Sequence, residues 1–157
     1  MKAATIKELK QELSYRSQKE LLELCLRLSR FKKENKELLT YLLFESSDEM
    51  AYIQSIKEEV DLQFEKINRK SYYYIRKSIR KILSTIKKYI RYSKKKETEV
   101  ELLIYFCTKI KQFNPPIRKH TGLHNLYLRQ IESIKKNISL LHEDLQYDYE
   151  SELEDLL

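Results

Sequence analysis

Apolar side chains recur along the chain at intervals of three and four residues, the spacing that lines one face of an α-helix. Thr5 followed by Glu8 reads as a capping box opening a short helix with the face Ile6, Leu9 and Leu13. Ser17 and Glu20 repeat the signature, and Leu21, Leu24, Cys25, Leu28 and Phe31 carry a second helix to about residue 33. The pattern restarts near Asn35 with Leu38, Leu39, Leu42 and Leu43, and Ser46, Ser47 and Asp48 stop it and cap the next stretch. From Asp48, the positions Met50, Ile53, Ile56, Val60, Phe64 and Ile67 keep helical spacing, while Glu58, Glu59, Asp61 and Glu65 make that helix acidic.

The fifth stretch is the most amphipathic. On a wheel of 100° per residue, Tyr72, Ile75, Ile79, Ile82, Leu83, Ile86, Tyr89 and Ile90 fall within roughly 120°. Arg76, Lys77, Arg80, Lys81, Lys87, Lys88 and Arg91 form one cationic face beside that stripe. Lys94 to Lys96 then meet Glu97, Glu99 and Glu101, cations where a helix ends and anions where the next begins, so the chain reverses there. The helix that follows is apolar almost all round, from Val100 through Phe106 and Cys107 to Phe113, and should be the central, most enclosed one. Asn114, Pro115 and Pro116 end it, and the segment from Arg118 to Gly122 reads as a loop. Beyond it, Tyr127, Ile131, Ile134, Ile138, Leu141, Leu145 and Tyr149 recur at heptad-like spacing, which predicts one long helix over 123–149 and a seam suited to self-association.

The pattern therefore predicts an all-α protein without a sheet, an irregular antiparallel array of about seven helices in a single domain over 1–157. Its parts are N-terminal helices over 5–45, an acidic and basic pair over 48–95, a central helix over 97–113, and the 123–149 helix with an acidic end. One Gly and two Pro in 157 residues agree with that reading, since hairpins and phosphate loops need more turn residues.

Charge sharpens the picture. Residues 66–96 hold 13 Lys or Arg and no Asp or Glu, leaving 18 of the 31 basic and all 24 acidic side chains to the other 126 residues. Like charges stacked four apart, such as Arg76 with Arg80 and Lys87 with Arg91, repel by a few tenths of a kcal/mol each, so a counter-charge is expected. Seven Asp or Glu between Glu143 and Asp155 offer one, within the chain or from another copy. An acidic protein surface is the expected partner of the basic face. Nucleic-acid backbone is the alternative, because clustered cations displace counterions from phosphates, and Tyr73, Tyr74 and Tyr92 among or beside them offer rings for stacking. A lysine-rich helix face is also most often plain solvated surface.

No catalytic constellation, cofactor motif or metal set emerges. His120 and His124 are four apart, but no HExxH or Cys/His set accompanies them. A single glycine rules out a Gly-rich nucleotide loop. Cys25 and Cys107 sit inside apolar helical runs and read as reduced thiols. With no apolar leader and no uncharged apolar run near 20 residues, the expectation is a cytoplasmic protein that does not enter a membrane. The runs IKELKQELSYRSQKELLELCLRLSRFKKENKELLTYLL, SIRKILSTIKKY, ETEVELLIYF and LHEDLQYDY resemble a family of uncharacterised, all-helical bacterial proteins of about this length. That resemblance implies the fold class and a bacterial origin, and carries no functional residue. The expected function is a non-catalytic helical interaction or structural protein.

Overall fold

The computed structural model describes residues 1–157 and contains eight α-helices and no strand. They are α1 (Ile6–Ser14), α2 (Gln18–Phe31), α3 (Lys33–Thr40), α4 (Glu49–Glu65), α5 (Tyr72–Ser93), α6 (Lys96–Lys111), α7 (Thr121–Ile138) and α8 (Glu143–Glu154). A π-turn at Tyr41–Glu45 and a 3₁₀ turn at Ile117–Lys119 complete the set. No helix is long and apolar enough to cross a membrane. Where the pattern suggested one domain, the chain divides into two compact units, Met1–Phe44 and Glu45–Leu157.

In the first unit both expected capping boxes form. Thr5 and Glu8 satisfy each other's backbone N–H at the start of α1, and Ser17 and Glu20 do the same for α2. Hydrogen bonds from the Thr5 backbone N–H and hydroxyl hold the Glu8 carboxyl below the usual carboxylate range. Lys32, in an extended conformation, separates α2 from α3, and the two pack as a hairpin tied by the Asn35 amide donating to the Leu28 carbonyl at 2.8 Å. Their apolar faces are only partly covered: α1, α2 and α3 contain no buried residue.

The second unit is built round α6, which touches α4, α5, α7 and α8. Val100, Leu102, Leu103, Phe106, Cys107 and Ile110 are all buried, as a helix apolar almost all round requires. Phe64 of α4 lies 6.2 Å from the Phe106 ring and 6.1 Å from Phe113, spacings typical of tilted aromatic pairs. Ile75, Ile79, Ile82, Leu83, Ile86 and Ile90 of α5 are buried as the wheel predicts.

The long C-terminal helix is not continuous. α7 stops at Ile138, residues 139–142 turn the chain, and α8 starts on His142, whose ring nitrogen accepts from the Asp144 N–H. Glu143 and Asp144 in the first turn suit a helix start there. The turn lets α8 lie against α6 and α7, with Tyr149 and Leu153 buried. The self-association seam is corrected with it. Tyr127, Ile131, Ile134 and Ile138 are buried inside the unit, where α7 packs on α6, and Leu141 and Leu145 are half-buried at the turn and on α8. The apolar spacing was serving this chain's own core. The Gly-containing loop is likewise shorter than expected, because His120 caps α7 and Gly122 sits in its first turn.

Two stability measurements follow from this packing. Ile134→Ala should cost about 2–5 kcal/mol, as for other buried aliphatic truncations, with a melting temperature that falls at every protein concentration alike. Lys94, between α5 and α6, has a left-handed backbone with φ of 58°. Lys94→Gly should therefore raise stability in denaturant melts by about 0.5–1 kcal/mol.

Candidate functional site

The helix carrying the charge asymmetry is held in place by its apolar stripe and by two polar anchors. At its N-terminal end, Tyr72 donates to the Pro116 carbonyl at 3.0 Å and stacks on His120 with ring centroids 5.3 Å apart. At its C-terminal end, the half-buried carboxylate of Glu49 at the start of α4 accepts from the Ser93 and Thr98 hydroxyls and pairs with Lys95 at 3.2 Å. Thr98 is itself buried, so this cluster fixes where α5 ends and α6 begins. Spacing gave no hint of Glu49, which reads in sequence as one more first-turn acid.

With α5 so fixed, Lys77, Arg80, Lys81, Lys87 and Arg91 are exposed, and Arg76 and Lys88 are half-buried. From Arg76 to Arg91 the row runs about 22 Å along the helix. None of Arg76, Lys77, Arg80, Lys81, Lys87 and Arg91 forms an ion pair with a carboxylate of the chain. Lys88 lies 5.0 Å from the Tyr89 ring. Tyr73 and Tyr74 are exposed and meet edge to face at 5.4 Å, whereas Tyr92 is buried against Tyr89 and is not available for stacking.

None of the carboxylates expected to neutralise this face pairs with Arg76, Lys77, Arg80, Lys81, Lys87 or Arg91. α4 does pack beside α5, yet its Asp61 pairs with Lys109 of α6 at 2.8 Å and accepts from the Tyr105 hydroxyl at 2.6 Å. Glu59 accepts from the Tyr89 hydroxyl, and Glu101 of α6 pairs with Lys57 of α4 at 2.7 Å. The acidic end is carried by α8 onto α6 and α7, and no acid from Glu143 to Asp155 pairs with α5. Neutralisation of the basic helix by that cluster within one chain is therefore not made.

A cleft of about 360 Å³ between α4, α6 and α8 is lined by Lys57, Glu101, Tyr105, Asp148, Tyr149 and Glu152. Burial, then the hydrogen bond to Asp61, pushes the Tyr105 phenol up to about 12. Burial and the neighbouring carboxylates of Glu101, Glu97 and Glu152 push Tyr149 up as well. Burial alone takes the Cys107 thiol to about 12, so these three groups stay protonated at neutral pH. No group of three His, Cys, Asp or Glu gathers to hold a metal, and the His120 ring nitrogen is occupied by the Leu123 N–H at 3.2 Å.

Comparison of the chain with protein-family models, with curated proteins and with solved structures finds no match in any of the three. The functional reading accordingly rests on the chain's own geometry and charge.

Asp61 supplies a pH test of the α4 to α6 tie. Burial raises its pKa, but the Lys109 and Tyr105 hydrogen bonds and the Lys109 charge outweigh that and hold the carboxyl below its ordinary value. A lowered folded-state pKa stabilises the fold above the unfolded value, about 4, and that contribution is lost as pH falls through the lowered one. Both side chains are partly exposed, so screening keeps the pair within about 1 kcal/mol. Asp61→Asn should melt below wild type at pH 7, and the two melting curves should converge between about pH 4 and pH 2.

Proposed function

We propose that the protein is a non-catalytic helical interaction module whose α5 face, Arg76, Lys77, Arg80, Lys81, Lys87, Lys88 and Arg91, engages an acidic surface on a partner protein. The observation that supports this reading is the set of six cations on that face without a carboxylate partner, in a unit that uses its own carboxylates between α4 and α6. A helix already fixed by its buried stripe presents such charges with little ordering cost on binding. Complementary charge of this kind sets the register and rate of encounter more than the final affinity. Residues 127–145 have no part in it, since their apolar side chains serve the fold.

A second reading, nucleic-acid backbone on the same face, is favoured by the exposed pair Tyr73 and Tyr74, whose rings stand at the N-terminal end of the cationic row. Fluorescence anisotropy separates the two. A labelled poly-glutamate peptide and labelled single- and double-stranded DNA and RNA are titrated at about 50 and 200 mM salt, with wild type and with the Lys77→Gln, Arg80→Gln, Lys88→Gln, Arg91→Gln variant. The expected outcome is peptide binding at low salt that weakens by about tenfold or more in the variant, whose helical circular dichroism is unchanged. Oligonucleotide binding that falls by orders of magnitude between the two salts would transfer the face to the second reading. No binding of either probe at low salt would end both.

A further inference from the structure

The first unit leaves a face that its own residues do not cover. Along α2, Leu24 is 41% exposed, Leu28 61% and Phe31 76%. On a helical wheel they lie within roughly 60° of one another. α3 packs on the adjoining flank, where Cys25 and Ser29, with Leu28 at the boundary, line a hollow shared with Leu38, Leu39 and Leu42. In α1, Ile6, Leu9 and Leu13 are exposed as well. The three α2 side chains alone show on the order of 350 Å² to solvent, an apolar patch of the size that marks a contact site on a protein surface. A 44-residue unit whose three helices bury no side chain lacks the core that a segment of this size needs, and association is a usual remedy.

The charges beside that face say what covers it. Glu20, Glu23, Arg27 and Arg30 run along one edge of the Leu24 and Phe31 stripe, acids toward the N-terminus and bases toward the C-terminus. Glu23, Arg27 and Arg30 have no ion-pair partner in the chain, and Glu20 spends one carboxylate oxygen on the Ser17 N–H. Pairing Glu20 with Arg30 and Glu23 with Arg27 of an antiparallel copy requires the same centre in both cases, beside Cys25. One two-fold axis therefore satisfies all four contacts, as an isologous interface demands. With about 1.5 Å rise per residue, that axis also interleaves Leu21, Leu24, Leu28 and Phe31 with their counterparts instead of stacking them.

We infer that the α2 face is a self-association surface that takes a second copy of this chain, α2 against α2 antiparallel, with its two-fold axis beside Cys25. Sedimentation equilibrium of the full chain over about 1–100 µM tests this, with Glu23→Arg and Arg27→Glu as the variants. Both positions are exposed, and circular dichroism checks that each variant keeps its helices. Wild type should dimerise. Each variant alone sets like charges opposite one another twice per dimer, and its dissociation constant should rise about tenfold or more. In an equimolar mixture of the two, every 23-to-27 contact across the axis again joins opposite charges, and association should return to within a few-fold of wild type. Leu24→Ser should weaken association in the mixture and in wild type alike. A wild type that stays monomeric throughout overturns the inference, whatever covers the face in that monomer. So does a dimer indifferent to both charge reversals, or a mixture that associates no better than its components.

Discussion

The second unit depends on one constraint: α6 is apolar round most of its circumference, with Glu101, Tyr105, Thr108 and Lys109 half-buried on the remaining side, so it cannot be a surface helix. Burying Val100, Leu103, Phe106, Cys107 and Ile110 at once needs neighbours all round, and α4, α5, α7 and α8 are those neighbours. Each of them is amphipathic because only one of its faces is needed for this purpose. The cost of enclosing a helix this way is that polar groups at its rim lose water, and they are matched in pairs: Asp61 with Lys109 and Tyr105, Glu101 with Lys57, Glu49 with Thr98, Ser93 and Lys95. Hydrogen bonds to charged groups at such half-buried sites are stronger than neutral ones, so the ties orient the shell as well as satisfying it.

That same matching explains why the basic face is left over. The α4 acids that find partners meet them at the rim of the core, Asp61 on α6, Glu59 on Tyr89 and Glu49 where α5 ends, and Arg76, Lys77, Arg80, Lys81, Lys87 and Arg91 keep no carboxylate opposite them. A carboxylate placed near Arg80 or Lys87 would gain little in water, since exposed pairs contribute about 0–1 kcal/mol. Stability therefore does not require one. The stacked like charges at Arg76 and Arg80 or Lys77 and Lys81 cost the fold a few tenths of a kcal/mol each, which the buried isoleucines of α5 outweigh easily.

Much of this was legible in the residues, and what was not has definite causes. Capping boxes at Thr5 and Ser17, the α5 stripe and the enclosed α6 are local signals, the boxes matched by their reciprocal hydrogen bonds and the two helices by their burial. The break at 139–142 escaped because an apolar repeat of 4, 3, 4 continues unchanged through a turn that folds a helix back onto the same core, where Tyr149 is buried. The seam was misassigned for a related reason, since spacing tells which face is apolar and not whose surface covers it. Glu49 could not be singled out from the other acids without knowing that Ser93, Lys95 and Thr98 converge on it. Division into two units left no Gly or Pro between Phe44 and Glu45 to mark it.

The two surfaces have a thermodynamic relation that does not depend on how the units are arranged. A chain that pairs through α2 presents two α5 faces in one particle. A weak, screened charge interaction at one face then raises the local concentration of the other face at the same partner, and overall avidity can exceed the single-site affinity by about 10²–10⁴ when both can be reached at once. For a row of exposed Lys and Arg whose individual contacts are worth so little, that multiplication is the route by which a modest electrostatic match becomes a selective one. It would select partners with repeated acidic patches over those with one. It would also make binding steeper in protein concentration than a single site allows, so the dimer-breaking charge variants of α2 should weaken engagement of a multivalent acidic partner while leaving binding of a short acidic peptide unchanged.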